Sequence, residues 1–513
     1  MRVAETIGGK RFMERDGIAA YGMRYGSPSA RCGRETLHWM KRSWVRFFVS
    51  AGLAVLSVLA PASSAAAERG GRELSPPSGL TLDGAVRLAL RNNRSLLDAR
   101  LARITQKFAL KVAEERYDPT LAVTPSVSVT RSGFGADVTS EAAVRVPTGG
   151  RFVLSWSGGI TEGGDGESDP VVLRFEQPLL RGGGFAVDSV PVRVARLREK
   201  LHFLSFRSAV GDVVVSVIEA YRRVLLAKRR VKIDKRSLAR LKRQLEVNRA
   251  LVEAGRMARQ DVVQSEAGIV NQEIRLTEAG NALDSARLSL LALLGLESRT
   301  RLRLSDDIRF APEDAQPGFE RSLDSALRNR PDYLRERINV EIAEAGYLEA
   351  RNALLPDLSL FSRFGFDVKG DERDEYSAGL EWRVRLGDRS REKGLLEARV
   401  SLRRAQNALA RLRESIGIDI RRSVQDVRVK FRQIEYAGRA RELSERKLAT
   451  GREKLRLGLS SNFELTRFEE DLTSAQNAEV EAVVSYLNAR TALDRSLGRT
   501  LEVWRIDARR VEE

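Results

Sequence analysis

The chain has 513 residues, of which 42% are hydrophobic and 31% charged, so it is long enough for several domain-sized cores and too apolar to be disordered. Its formal charge is +18, but residues 1–67 carry ten Lys or Arg and four Asp or Glu, so about +12 remains on the rest. Because basic and acidic side chains alternate along predicted helices, the charge favours a solvated surface and argues against a nucleic-acid partner.

The segment at 1–67 is predicted to be an N-terminal extension followed by a secretory signal peptide. A basic region around Lys41 and Arg46 precedes an apolar stretch at 47–59, and three alanines at 65–67 form a small-residue cleavage site. The apolar stretch is too short to span a membrane as a stable helix. The sequence therefore predicts export from the cytoplasm.

The start of translation and the thiol content both depend on this segment. The residues before Met40 are polar and lack periodicity, so we expect translation to start at Met40 rather than at Met1. The single cysteine, Cys32, lies in the extension, so the mature chain is predicted to contain no thiol.

Two long blocks without proline are predicted to form helical hairpins. No proline occurs between Val192 and Ala311 or after Pro356, and proline breaks helix interiors. Within both blocks apolar residues recur at steps of three and four, as in coiled coils. A continuous helix from Asp188 to Glu253 would contain about 66 residues and be on the order of 100 Å long. Such a hairpin must bury its apolar stripes against neighbours.

Segments of alternating polarity predict strands before each hairpin. A Pro-Thr-Gly-Gly sequence at 147–150 is typical of a turn and predicts an additional strand hairpin in the first half. This gives four to six strands per chain, fewer than the eight that the smallest membrane barrels need, so several copies must share one barrel. The clearest alternating segments are 121–131, 171–177, 358–368 and 376–386.

The two halves of the chain also share sequence, which predicts a tandem duplication. A shift of 237 residues places Pro119 on Pro356 without a gap, and a shift of 203 places Gly255 on Gly458. Repeat 1 is predicted at 80–310, after a linker at 68–79, and contains a helix at 80–117, strands at 119–180 and a helical hairpin at 188–298. Repeat 2 is predicted at 322–505, after a linker at 311–321, and contains a helix at 322–355, strands at 357–387 and a helical hairpin at 390–500. A C-terminal tail is predicted at 506–513.

The order and spacing of several short motifs resemble the TolC family of outer-membrane efflux and secretion channels over nearly all of residues 80–505. Each motif alone is weak, but their order, spacing and duplication together are specific. The motifs are Leu80-Thr81-Leu82-Asp83, Ala89-Leu90-Arg91-Asn92-Asn93, Gln177-Pro178-Leu179-Leu180-Arg181-Gly182, Asn329-Arg330-Pro331-Asp332, Ala353-Leu354-Leu355-Pro356-Asp357, and the tip sequences Glu253-Ala254-Gly255 and Leu457-Gly458-Leu459-Ser460.

The resemblance implies an α+β membrane protein built from two tandem repeats. It implies a homotrimer whose strands close one shared outer-membrane β-barrel, continuous with a long periplasmic coiled-coil barrel of α-helices. The family has about twelve strands in that barrel, four per chain, and the extra strand hairpin leaves the count open here. The implied function is a passive exit duct for efflux or type I secretion, whose partners are a periplasmic adaptor, an inner-membrane pump and outer-membrane lipid.

Three groups of residues are candidate functional sites. We expect Pro119 and Pro356 to mark helix-to-strand junctions at the periplasmic face of the membrane. The hairpin tips are expected to dock the adaptor, because exposed leucines at a turn are disfavoured unless a partner covers them, although these leucines could instead cap the coiled coil. The tip residues are Gly255, Leu457, Gly458, Leu459 and Ser460.

Asp261 and Glu464 occupy the same place in the two repeats, six residues after each tip glycine. The resemblance implies that acids at this distance contribute to the closed pore entrance and its cation selectivity, with Arg456 as a candidate cationic partner. The alternative is that each acid only stabilises the first turn of its helix through the helix dipole.

The sequence predicts no enzyme, cofactor or metal site. His202 is the only histidine after the signal peptide and lacks a second metal-binding partner in the sequence. The glycines at 182–184 lack the Lys and Ser or Thr of a phosphate-binding loop and are interpreted as a linker from barrel to helix. Two other functions stay open: a periplasmic adaptor of the same kind of system, and a structural coiled-coil protein of the envelope.

Overall fold

The computed structural model describes residues 79–130, 133–161, 170–308, 318–367 and 375–512, all within one compact unit. The expected signal peptide, its cleavage site and Cys32 lie outside these residues, as do most of the linkers expected at 68–79 and 311–321.

The chain begins with two helices that meet at a sharp break. Helix α1 covers Leu82–Asn92 and helix α2 covers Arg94–Glu114, followed by a 3-10 turn at Glu115–Tyr117. Asn93 between them is extended, with ψ of 123°, and its side chain accepts a hydrogen bond from the backbone N–H of Leu96 and so caps α2. The prediction of one continuous helix at 80–117 was wrong because Asn93 provides a helix start in its middle.

The same break recurs in the second half. Helix α6 covers Phe319–Asn329 and helix α7 covers Pro331–Ala353, with Arg330 extended between them. A residue before proline is driven out of the helical region, whereas proline itself suits the first position of a helix. The predicted single helix at 322–355 is therefore also two helices.

Six antiparallel strands form one sheet in the order in which they occur in the chain. The β2–β3 connection at 146–150 contains the predicted Pro-Thr-Gly-Gly turn and lies at the end of the sheet nearest the helices. The strands are β1 Thr120–Thr130, β2 Gly133–Arg145, β3 Arg151–Thr161, β4 Pro170–Pro178, β5 Asp357–Asp367 and β6 Glu375–Arg383.

Two long helical hairpins extend from the sheet. Helix α4 has 64 residues and helix α8 has 67, so each is on the order of 100 Å long. Each returns through a 35-residue helix. The bounds are α3 Phe185–Asp188, α4 Val190–Glu253, α5 Arg259–Leu293, α8 Ser390–Arg456, α9 Asn462–Ser496, α10 Thr500–Val503 and α11 Ala508–Glu512.

The largest hydrophobic core lies where α4 passes α1, the end of α5 and the C-terminal helices. At its centre the buried Tyr221 hydroxyl lies 2.8 Å from the carbonyl oxygen of Leu80 and 2.9 Å from a carboxylate oxygen of Asp306. Burial, and then the hydrogen bond with Asp306, raise the pKa of Tyr221. By length and composition alone, the helical segment at 185–253 is long and apolar enough to cross a membrane. Its helix α4, however, contributes much of this core.

The segment predicted as a C-terminal tail packs onto the helices. Ala508 of α11 is buried, and Glu512 accepts a 2.8 Å hydrogen bond from the guanidinium of the buried Arg103. Burial alone would raise the pKa of Glu512, but hydrogen bonds from Lys107 and Arg103 outweigh it and hold this pKa below its usual value.

The helices that adjoin the sheet pack side by side in the order α2, α4, α7, α8. Farther from the sheet, α4 of the first hairpin packs against α9 of the second. Helix α2 and helix α8 therefore lie at opposite edges of the layer nearest the sheet.

Candidate functional site

One face of the sheet is apolar across all six strands. Because directly opposed residues lie on the same face, the strand register places one residue from each strand in a continuous row. Leu121 at one end of this row is 72% exposed and Tyr376 at the other end 68%. An exposed apolar face of this extent suits a lipid environment. The row consists of Leu121, Ala142, Leu154, Leu173, Phe364 and Tyr376.

The opposite face of the sheet is polar. On it Arg151 forms a 2.8 Å ion pair with Glu141, and Arg174 lies directly opposite Arg363. The aromatic ring of Phe361 also lies on this face and contacts Gly379 on the neighbouring strand. One apolar and one polar face is the pattern of a barrel wall between lipid and a water-filled lumen.

Both candidate junction prolines lie between a helix and a strand. Pro119 follows the 3-10 turn and precedes β1, while Pro356 follows α7 and precedes β5. Near the first junction, the buried Asp188 accepts hydrogen bonds from Arg116 at 3.1 Å and Arg145 at 3.4 Å.

The second junction has a similar anchor. Asp357, directly after Pro356, forms ion pairs with Arg181 at 2.8 Å and Arg391 at 3.1 Å. A carboxylate therefore connects helices to strands at each junction, a role that the sequence analysis did not assign to Asp188 or Asp357.

The two hairpin tips have the same backbone geometry. Gly255 and Gly458 have φ of +70° and +76°, the left-handed conformation that glycine adopts most readily. The backbone N–H groups of Arg256 and Leu459 reach back to carbonyl oxygens five residues earlier, at 2.8 Å in both cases.

The second tip is apolar and exposed within the chain. Leu457 and Leu459 are 64% and 73% exposed, and Phe463 on the first turn of α9 is also exposed. Ser460, the remaining tip residue of the prediction, lies 2.7 Å from a carboxylate oxygen of Glu464 through its hydroxyl.

The two candidate gate acids have different surroundings. Glu464 is exposed in the first turn of α9, and its backbone N–H donates to the capping hydroxyl of Ser461 at 3.2 Å. Asp261 lies in the first turn of α5, and its carbonyl oxygen accepts a 3.0 Å hydrogen bond from Asn462 at the start of α9. Arg456 pairs with Glu453 of its own helix, so within the chain its carboxylate partner is neither Asp261 nor Glu464.

A buried polar cluster joins the two hairpins just behind the tips. The Asn248 amide of α4 donates to Ser265 of α5 at 2.8 Å and to Asn462 of α9 at 2.6 Å, and all three residues are buried. Burying polar side chains is costly unless they bond to one another, so the cluster fixes the relative position of these three helices. The cluster was not predicted from the sequence, because asparagine and serine on a helix are most often exposed.

A buried ion triad lies farther from the tips. Glu469 of α9, only 3% exposed, bonds to Arg240 of α4 at 2.7 Å and to Arg452 of α8. The sequence favours a solvated surface for the charged residues of these helices, but Glu469 is an exception because two arginines from other helices enclose it. Glu266, its counterpart under the 203-residue shift, is exposed and pairs with Arg249 of the same hairpin.

Another buried carboxylate lies at this contact between hairpins. Asp234 of α4 accepts a hydrogen bond from Gln272 of α5, and burial raises its pKa while bonds from Gln272 and Asn477 partly offset that rise. Arg222 of α4 donates to the carbonyl oxygen of Leu487 at 2.7 Å, and burial lowers its pKa to about 10.

An amphipathic sheet carried on two long helical hairpins defines the subunit of a membrane channel. A family model described as outer membrane efflux protein matches residues 85–296 and 322–499, more than half of the chain. The chain belongs to the outer membrane efflux protein family, and the resemblance to the TolC family is confirmed.

Known proteins agree with this assignment. The alkaline protease secretion protein AprF of Pseudomonas aeruginosa is 25% identical over 348 residues, which are 65% of this chain and 70% of AprF. The fold is similar to the Vibrio cholerae outer membrane protein VceC (TM-score 0.64, 16% identity, covering 81% of this chain and 96% of VceC). It is also similar to the open state of the Neisseria gonorrhoeae channel MtrE (TM-score 0.62, 17% identity, covering 81% of this chain and 88% of MtrE).

The protein is therefore an outer-membrane exit channel for efflux or type I secretion that extends into the periplasm. The interpretations as a periplasmic adaptor or as a purely structural envelope protein are not favoured, because the matching family consists of the channels themselves.

Proposed function

We propose that three copies of the chain assemble around one axis into a passive duct, without enzymatic activity of its own. The observation that carries this proposal is that one chain leaves both edges of its sheet open. β1 and β6 lie at opposite edges, and neither has a second strand partner among the described residues. Six strands are fewer than the smallest membrane barrel has, so β6 of one copy pairs with β1 of the next.

The helices support the same head-to-tail arrangement. On α2, at one edge, Leu101, Ile104 and Phe108 form an exposed apolar stripe at helical spacing. At the other edge, α8 exposes Leu396 and Val400 near its start. A contact between two different edges continues from copy to copy and closes into a ring. The proposal of three copies in this ring comes from the resemblance to the TolC family.

The ring would continue away from the membrane through the hairpins. Helix α5 exposes Val263, Val270 and Ile274, and α8 exposes Tyr436 and Leu443 at a similar distance from the tips. Covering these stripes between neighbouring copies would form the periplasmic coiled-coil barrel.

We also propose that each chain is a tandem duplication. The breaks at Asn93 and Arg330 lie at corresponding places, and both returning helices end in a glycine with positive φ. Gly295 approaches the carbonyl of Asn92 so closely that a Cβ would collide, and Gly498 approaches the residue pair 329–330 in the same way. The same close contact in both halves supports a common origin.

The proposed partners are a periplasmic adaptor at the hairpin tips and an inner-membrane pump that supplies the energy. The exposed Leu457 and Leu459 beside Gly458 would be covered by the adaptor, and the tip at Gly255 would lie between two such contacts. Outer-membrane lipid would cover the apolar face of the sheet up to the junctions at Pro119 and Pro356. The likeness to AprF supports a secreted polypeptide as one class of cargo.

Asp261 and Glu464 are proposed to line the closed entrance. The polar links between Asp261, Asn462 and Ser265 hold the two hairpins together directly behind it. In a trimer, three exposed Glu464 carboxylates around a narrow axis would attract cations.

Cysteine labelling along β5 tests the barrel, because the mature chain is expected to have no other thiol. Positions 358, 360, 362, 364 and 366 share the apolar face and should be shielded by lipid from a water-soluble maleimide, whereas positions 359, 361, 363 and 365 should react. The protein should also run as a trimer in detergent. A monomer, or uniform labelling of all nine positions, would contradict the proposed assembly.

A further inference from the structure

The first half of the chain contributes two more strands to the sheet than the second half. β1 to β4 precede the first long hairpin, whereas only β5 and β6 precede the second. The additional pair corresponds to the extra hairpin, β2 and β3, whose register with each other runs from Gly135 opposite Thr161 to Arg145 opposite Arg151.

The extra hairpin is fully integrated into the sheet. β2 pairs with β1 along the whole length of β1, from Thr120 opposite Ala143 to Thr130 opposite Gly133. β3 pairs with β4 from Arg151 opposite Glu176 onward. It is therefore neither an added flap nor a plug, but the middle of the sheet.

The extra hairpin also has the same two faces as its neighbours. Its apolar face carries Val138, Phe152 and Trp156, all exposed within the chain. Its other face carries small polar side chains, including Thr139, Ser155 and Ser157, together with the ion pair between Arg151 and Glu141. Side chains of this kind leave a lumen open to water.

The inner turn of the extra hairpin is fixed to the start of the first long hairpin. The backbone N–H of Gly184 donates to the carbonyl oxygen of Thr148 at 2.9 Å, and the Gln177 amide donates to the same oxygen at 3.0 Å. Arg145 at the end of β2 pairs with Asp188. The segment at 182–184 therefore links the sheet to the helices and is also hydrogen-bonded to the inner turn through Gly184.

We infer that the outer-membrane barrel has eighteen strands, six from each of three chains, and that its lumen admits polypeptide cargo with helical or hairpin structure. This inference rests on the proposed trimer. With strands about 4.8 Å apart and tilted by about 40°, twelve strands enclose a backbone diameter of about 24 Å and eighteen enclose about 36 Å. A helix with its side chains is about 10–12 Å across, so after lining side chains are counted the wider barrel passes more than one.

Disulfide trapping between copies identifies the strands at the barrel seam. Val123 of β1 and Ala378 and Leu380 of β6 lie on the apolar face. We expect double-cysteine variants that combine position 123 with position 378 or 380 to form covalent trimers after oxidation in outer-membrane vesicles, since a disulfide requires Cα atoms about 4.4–6.8 Å apart. Position 122, on the opposite face, is the matched control and should not cross-link to these positions.

A second pair tests the narrower barrel directly. If β1 and β2 lay outside the wall, β6 would meet β3 of the next copy, and cysteines at Leu154 and positions 378–382 would cross-link instead. That cross-link would overturn the inference of eighteen strands. Covalent dimers alone would also overturn it, because they would indicate a closed ring of two copies. In both cases the protein would still form a channel. The absence of any stable oligomer in the outer membrane would instead contradict the proposed assembly itself.

Discussion

Replacing Glu469 with glutamine should loosen the contact between the two hairpins of each chain. The carboxylate is the only negative charge in a buried triad with Arg240 and Arg452. The substitution keeps the size of the side chain but leaves two guanidinium groups without their counter-charge. Removing one partner of a buried ion pair typically costs about 3–5 kcal/mol.

The structure sets the expected magnitude near the lower end of that range. The Arg240 side chain is 16% exposed, so its charge is poorly solvated once the carboxylate is lost. The Arg452 side chain is 47% exposed, so solvent screens it and its pair adds at most about 1 kcal/mol. Together these give about 3 kcal/mol, which corresponds to roughly a hundredfold increase in local opening.

Hydrogen–deuterium exchange of the purified protein measures this opening directly. Peptides covering residues 236–250 of α4 and 464–476 of α9 should exchange faster in Glu469→Gln, while peptides from the sheet should not change. Glu266→Gln is the matched control, because its pair with Arg249 is about half exposed on both sides and should contribute less than about 1 kcal/mol. Equal exchange in the two variants would refute the role of the buried triad.

Substitutions at three further residues test the tip, the gate and a buried acid. Leu459→Asp should abolish export with normal trimer yield, whereas Leu459→Met should preserve export; active export by the aspartate variant would refute docking at this tip. Glu464→Lys should lower cation preference in planar-bilayer recordings, and unchanged selectivity would mean that this acid only stabilises its helix. Because burial raises the pKa of Asp234, the folded state holds its proton more tightly than the unfolded state, and stability from this group is lost as pH rises. Asp234→Asn should therefore raise the thermal midpoint at about pH 7 more than at about pH 3, below the unfolded pKa of aspartate, and an equal shift at both would contradict this.

Local patterns predicted much of the fold. Alternating polarity located β1, β4, β5 and β6, and the turn at 147–150 predicted the β2–β3 hairpin. The absence of proline located the long helical hairpins. All of these signals are set by neighbouring residues. The breaks at Asn93 and Arg330 were not predicted, although Asn93 and Pro331 are local helix-start signals.

The polar contacts between hairpins could not be predicted in the same way. Glu469 and Glu266 occupy equivalent sequence positions, yet only Glu469 is enclosed, because Arg240 and Arg452 come from helices distant in the chain. Asn248 and Asn462 are 214 residues apart and meet only when both hairpins are formed. Such tertiary contacts decide whether a polar residue is buried, and the periodicity of apolar residues along a helix gives no information about them.

Helix α4 runs without interruption from Val190, two residues after the anchor at Asp188, through the core around Tyr221, to Glu253 beside the tip glycine Gly255. The tip lies about 34 residues beyond that core, which is on the order of 50 Å of helix. A rotation of about 5° at the core would then displace the tip by about 4 Å. The helix acts as a lever, so substitutions that alter entrance width should be found in the core around Tyr221 as well as at the entrance. A screen restricted to the tips would miss them.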